Sequence, residues 1–86
     1  MVSDNAAEQA KQVLQNLAHV LRECQSDLSR VVKFTLILRE MSDFPVVNAE
    51  IEKVWGEKMS ARTTIQAVIP RNCLLAIEAV AVVSKL

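Results

Sequence analysis

Arg62, Thr64, Gln66 and Glu78 fall within SARTTIQAVIPRNCLLAIEAVAVV, residues 60–83, two apolar runs separated by one short turn. A charge inside an apolar strand has to be neutralised or put to use, because desolvating it without a partner is costly. The first run, residues 61–69, is rich in β-branched side chains, and Pro70, Arg71 and Asn72 supply turn chemistry before the second run at 73–83. This spacing predicts a β-hairpin. With a three-residue turn, Ile69 sits opposite Cys73 and Thr64 opposite Glu78, with Arg62 diagonal to Glu78; a slip of one pair brings Arg62 to face Glu78 directly. In either register the four polar groups share one face of the hairpin. Two chemistries fit that cluster. One is a cross-strand ion pair that satisfies two half-buried charges. In the other, Arg62 grips a substrate carboxylate with two parallel hydrogen bonds while Glu78 places a water or moves a proton.

Other residues offer less. His19 has no second His or Cys at ligand spacing, so no metal site is expected. Asn48 falls beside an apolar stripe, where a helix-to-loop hydrogen bond accounts for it. Phe44 and Trp55 read as core residues. Cys24 and Cys73 have neither metal-ligand spacing nor the density of a disulfide scaffold, and read as free thiols. No glycine-rich loop is present to cradle a phosphate, and no Ser or Cys nucleophile has a histidine partner in the sequence.

The elements that must position the cluster follow from periodicity. From residue 6 to about residue 24, Ala10, Val13, Leu14, Leu17, Leu21 and Cys24 recur at helical spacing, with Asn5 and Glu8 forming a capping arrangement. Asp27 or Ser29 then marks a turn. Residues 31–39 alternate, with Val32, Phe34, Leu36 and Leu38 on one side and Lys33, Thr35, Ile37 and Arg39 on the other, which predicts a half-buried strand. Ser42, Asp43 and Pro45 predict a helix start, Ser42 as the cap. Phe44, Val47, Ile51, Val54 and Trp55 make its buried stripe, and Gly56 closes it. The order helix, strand, helix, strand, strand is an α+β domain with a crossover from the first strand to the second. Three strands make a narrow sheet with open edges and one uncovered face, which points to pairing with other chains.

Composition bounds the function. The 86 residues form a single domain, 1–86, near the size at which one core needs help from a partner subunit. Ten basic residues balance ten acidic ones, so no net field recommends a nucleic acid or an anionic membrane as partner. No apolar run approaches the ~20 residues of a membrane span. With no leader-like segment either, the expected location is cytoplasmic.

The sequence resembles the Rid proteins, the reactive intermediate deaminases also called the YjgF family. The likeness runs through QVLQNLAHVLREC, VVKFTLILREMSDFPVVN, SARTTIQAVIP and AIEAVAV. The joint pattern of V-V-K, D-F-x-x-V-N, A-R-[ST] and I-E-A-x-A at these separations carries it. The resemblance implies a fold similar to chorismate mutase of the bacillus type, with two helices on one face of the sheet, assembled as a homotrimer with ligand sites between subunits. Catalytic members hydrolyse reactive 2-imino or 2-enamino acids to 2-oxo acids and ammonia without metal or cofactor. Carried over by motif, the carboxylate-binding arginine falls on Arg62, the acidic residue that engages the attacking water on Glu78, and two further substrate-binding positions on Asn48, the asparagine of the V-N motif, and on Thr64, where some members have cysteine. The proline that precedes A-R in the family is Ser60 here, and the turn glycine is Asn72. Family members also carry a β-hairpin before the first helix, with a tyrosine and a serine that line the pocket, and this sequence starts almost at that helix. The expectation is a Rid-like deaminase shortened at its N-terminus; the alternative is a non-catalytic ligand-binding or assembly module, or a fragment of a longer chain.

Overall fold

A computed structural model describes residues 5–56, 61–71 and 73–83 of the chain. Ser60 and Asn72 lie outside the described residues.

Helix α1, Ala6–Glu23, starts as its sequence predicts: the Asn5 side chain accepts the Glu8 amide at 3.1 Å and satisfies one of the amides left open in the first turn. Ala10, Leu14 and Leu21 are buried, and Val13 and Leu17 pack against the same core. Cys24 does not join that stripe. It is the C-cap residue and is exposed, because the chain leaves the helix there through Gln25 at φ +60°. Asp27 then accepts the Ser29 amide and caps a 3-10 turn, Leu28–Arg30, at the expected place.

Strand β1, Val31–Leu38, holds Phe34, Leu36 and Leu38 in the core, as alternation requires. Its first residues depart from the expected phase. Val31 is buried and Val32 is 52% exposed, because the ladder shifts register between Val31 and Lys33. One extra residue in a strand moves the side chains before it to the other face.

Helix α2, Phe44–Trp55, follows a 3-10 turn at Met41–Asp43 and carries Pro45 in its first turn. Ser42 lies inside that 3-10 turn and is not the cap. Asp43 holds the cap position in a helical conformation without a side-chain capping bond, its own amide donating to the Glu40 carbonyl at 3.0 Å. The chain enters α2 already turning, so backbone bonds take over what a capping hydroxyl would have done. Val47, Ile51 and Trp55 are buried, while Val54 sits at the margin of the stripe and is exposed. Trp55 stacks on Phe34 at 4.9 Å between centroids and donates its indole N–H to the Leu28 carbonyl at 2.8 Å. Gly56 ends the helix at φ +58°, a conformation that disfavours any side chain.

Strands β2, Ala61–Gln66, and β3, Leu75–Ala81, do not pair with each other. The sheet order is β2-β1-β3, with β2 parallel and β3 antiparallel to β1. The crossover β1-α2-β2 is as expected; the hairpin is not. β1 carries the most buried apolar face in the sheet and takes the central place, where both its edges are paired. The connection at 67–74 crosses the end of β1 and is held there by polar side chains. Arg39 donates Nε to the Cys73 carbonyl at 3.0 Å and Nη2 to the Ile69 carbonyl, and its amide bonds the Leu74 carbonyl at 3.0 Å. Gln9, 1% exposed, accepts the Leu74 amide at 2.8 Å. Among the described residues of this connection, Arg71 is left-handed, at φ +63°.

Candidate functional site

Strand order decides where each candidate side chain points. Arg62 is in register with Phe34 on the parallel partner strand, and Thr64 with Leu36, so both lie on the face that carries the helices. Glu78 is in register with Thr35, so it lies on the opposite, open face. The convergence expected from a hairpin therefore does not occur within one chain. Arg62, Thr64 and Gln66 share a face, and Glu78 stands across the sheet from them. The physical reason is the two-residue period: which face a residue takes depends on its partner strand, and the partner is β1 for both outer strands.

Around Arg62 the structure builds a defined environment. Its Nη1 donates to Asn48 Oδ1 at 2.5 Å. Its guanidinium carbon lies 5.2 Å from the centre of the Phe44 ring and 5.9 Å from that of Phe34, within cation–π range of both. Phe44 and Asn48 are four residues apart on α2 and so occupy one helical face, one turn above the other. Thr64, half-buried, continues the same row two residues along β2. A guanidinium held at one edge and against aromatic faces is suited to a carboxylate, which needs two of its five N–H groups in one plane.

Glu78 has a different setting. It is exposed and shares with Lys33, Thr35 and Val80 a shallow depression of about 250 Å³ on the open face. Thr63, Thr35 and Glu78 form one row across the three strands. The neighbours of this row on the same face are Ile37, Ile65 and Val80, an apolar surface around two charged groups. A carboxylate so placed can accept a proton from water, but it has no access to the Arg62 side of its own sheet.

Of the residues singled out by sequence, Asn48 is joined to Arg62 directly and Thr64 lies in the same row. Phe44 and Phe34 were read as core only. The four-residue spacing of Phe44 and Asn48 on α2 is the signal that would have linked them to one neighbour. Gln9 and Arg39, which hold the connection that separates β2 from β3, were absent from the candidate site as well. Among the described residues, no group of three or more His, Cys, Asp and Glu is placed to hold a metal ion, and no buried side-chain nitrogen or oxygen is left without a partner. His19 is exposed on α1, and Cys24 and Cys73 are unpaired thiols.

The family model described as Endoribonuclease L-PSP matches residues 1–83. The human protein named 2-iminobutanoate/2-iminopropanoate deaminase is 36% identical over 83 residues, covering 95% of this chain and 61% of its own length. Reactive Intermediate Deaminase A, chloroplastic, from Arabidopsis thaliana is 37% identical over 81 residues, covering 93% of this chain and 43% of that protein. The chain thus spans less than two thirds of the length of these relatives. Among solved structures, a YjgF-family protein from Neisseria meningitidis superposes with a TM-score of 0.89 at 29% identity over 98% of this chain and 72% of that one. The YjgF gene product of E. coli does so with a TM-score of 0.88 at 29% identity, over 95% and 68%.

Proposed function

From the premise that the chain belongs to the YjgF/Rid family, the one described as Endoribonuclease L-PSP, we propose that it hydrolyses reactive 2-imino and 2-enamino acids to 2-oxo acids and ammonia, a reading supported by relatives named 2-iminobutanoate/2-iminopropanoate deaminase and Reactive Intermediate Deaminase A. The observation that carries this reading is the Arg62 guanidinium, bonded to Asn48 and set over the Phe44 ring. A fixed planar cation at the margin of a small sheet matches the one group that every 2-imino acid presents, its carboxylate.

In this reading Arg62 binds the carboxylate and orients the adjacent C=N bond. Water adds to C2 of the protonated imine, one of its protons passing to the Glu78 carboxylate as the π electrons of C=N move to nitrogen. Glu78 then returns that proton to the nitrogen of the carbinolamine, the C2–N bond breaks with its electron pair leaving on ammonia, and the hydroxyl proton passes to Glu78 and on to solvent as the oxygen becomes the 2-oxo group. One water is consumed and one ammonia released. Orientation and a placed proton acceptor are the two contributions asked of the protein, and neither calls for a cofactor.

Because Glu78 lies across the sheet from Arg62, the site needs Glu78 from a second copy of the chain. A homotrimer in which the open face of one copy meets the β2 edge of the next, where Arg62 lies, would supply it and would cover Ile65 and Val80, which are exposed in a single copy. The test couples a purified amino-acid dehydratase to this protein and follows 2-oxo acid release. Faster release with the parent and loss of that effect in Arg62→Ala are expected; an Arg62→Ala variant as active as the parent would sink the proposal. A second reading, a non-catalytic binding or assembly module, is favoured by one observation: in a single copy the two charged groups never meet. Light scattering separates the two, since a monomer that fails to speed imine hydrolysis supports the module.

A further inference from the structure

We propose that Phe44 and Asn48 are positioning residues for Arg62, a two-point clamp that fixes the plane of the guanidinium and thereby sets how tightly a carboxylate ligand is held. The inference rests on the proposed deaminase site and deepens it. It assigns Asn48 to the arginine, not to the substrate, and gives Phe44 a role beyond packing.

The geometry has two independent parts. Asn48 Oδ1 takes a hydrogen bond from Nη1 at 2.5 Å, which fixes the edge of the guanidinium. The guanidinium carbon lies over the Phe44 ring, 5.2 Å from its centre, which bounds the group on a second side. A hydrogen bond alone lets the group swing about the bond, and a ring contact alone lets it turn over the ring. Together they restrict it more than either does. Both come from one surface of α2, one turn apart, so the helix delivers them as a rigid unit. The guanidinium carbon also lies over the Phe34 ring at 5.9 Å, and Phe34 is itself stacked on Trp55 in the core, which ties the clamp to the most buried part of the molecule.

An arginine side chain is rich in rotamers, and ordering it at the moment of binding costs affinity. A clamp that orders it beforehand removes that cost from ligand binding and leaves the chemical step alone. The expected signature is a change in KM with little change in kcat. Phe44 is the position to alter, because it is half-buried at the start of α2, whereas Phe34 is part of the core.

The test compares the parent with Phe44→Leu, Phe44→Tyr and Asn48→Ala, using the dehydratase-coupled assay and the side-chain Nε–H resonance of Arg62. Loss of a cation–π contact predicts a rise in KM of roughly 5- to 10-fold in Phe44→Leu, with kcat within about twofold. Phe44→Tyr keeps the ring and stays within about threefold of the parent. In the parent the Arg62 Nε–H resonance is shifted by the ring current of Phe44; Phe44→Leu moves it toward the position of a free arginine, and Phe44→Tyr does not. Asn48→Ala, read the same way, gives faster rotation of the guanidinium and a higher KM, so the proposal remains testable if Phe44→Leu fails to fold. An unchanged KM in a folded Phe44→Leu, or a Phe44→Tyr variant as impaired as Phe44→Leu, overturns it. If the parent shows no deaminase activity, the proposed function fails while the Arg62 resonance and a titration with 2-oxobutanoate still decide the clamp: tight, ring-dependent binding upholds it, and binding indifferent to Phe44 refutes it.

Discussion

The two faces of the sheet were made from the same three strands and end in opposite states. On the helix side Phe34, Leu36 and Leu38 are sealed under α1 and α2, and Arg62, a cation at the margin, bonds Asn48 and lies over the Phe44 ring. On the open side Ile65 is 43% exposed and Val80 59% exposed, and Glu78 stands in a shallow depression with no hydrogen-bonding partner among the described residues. The difference lies in coverage. A helix supplies both the apolar surface that closes a sheet and the side chains that reach round its edge to hold a charge. A bare face supplies neither. In the proposed site, one copy of the chain would therefore supply the carboxylate-binding half and a second copy the water-handling half.

The sharpest way to break this comparison is to separate the two halves between chains. Arg62→Ala and Glu78→Ala are each expected to lower activity by about 100-fold or more, as loss of an orienting cation or of a proton acceptor does. If Arg62 of one copy works with Glu78 of the next, unfolding and reassembling the two inactive variants in equal amounts restores about a quarter of the parent activity, since each shared site draws its two residues at random from neighbouring subunits. If both residues serve a site within one copy, the mixture stays inactive. Activity recovered on mixing locates the site between subunits without any structure of the assembly.

A second experiment compares the faces by stability. Leu36 is fully buried on the helix side, and Leu36→Ala is expected to cost about 3 kcal/mol in urea unfolding, from lost burial and the cavity left behind. Ile65→Ala on the open side is expected to cost less than about 1 kcal/mol at protein concentrations where the chain is dissociated, and more where it is assembled. A cost for Ile65→Ala that is large and independent of concentration would mean that the open face is covered by the chain itself.

The helix side was largely legible in the sequence, and the open side was not. Periodicity located α1, β1 and α2 and their buried stripes because each signal is local: Leu14 and Leu21 on one helix, Leu36 and Leu38 on one strand. The crossover from β1 to β2 followed from the helix between them. Strand pairing is non-local, and there the reading failed. Pro70 and Arg71 suit a turn whether the chain folds back on β2 or passes over the end of β1. The choice was made by the burial of β1 and by Arg39 and Gln9, polar residues whose long-range bonds to the 67–74 connection leave no trace in spacing. The misplaced partner then put Glu78 on the wrong face. Motif resemblance picked out Arg62 and Asn48, but their contact, and the place of Phe44 in it, required the packing of α2 against β2.

The smallest expected effect probes whether polar contacts on the helix side are tuned or incidental. Asp27, at the exposed turn after α1, has its carboxyl lowered from the ordinary value of 3.8, chiefly by the hydrogen bond from the Ser29 hydroxyl, with further help from the Ser29 amide and the Arg30 charge. A carboxyl whose pKa is depressed on folding adds stability above its unfolded pKa and loses it as pH falls through the folded value. The contribution is thus complete near neutral pH and fades below about pH 4. Ser29→Ala removes the largest cause, so the Asp27 carboxyl should titrate closer to its ordinary value when followed by carbon NMR. The acid side of the stability curve should flatten slightly, while the neutral side loses a little stability. An Asp27 that titrates unchanged in Ser29→Ala would show that the backbone of the 3-10 turn, not the hydroxyl, holds the charge, and that the turn at the end of α1 is set by its amides alone.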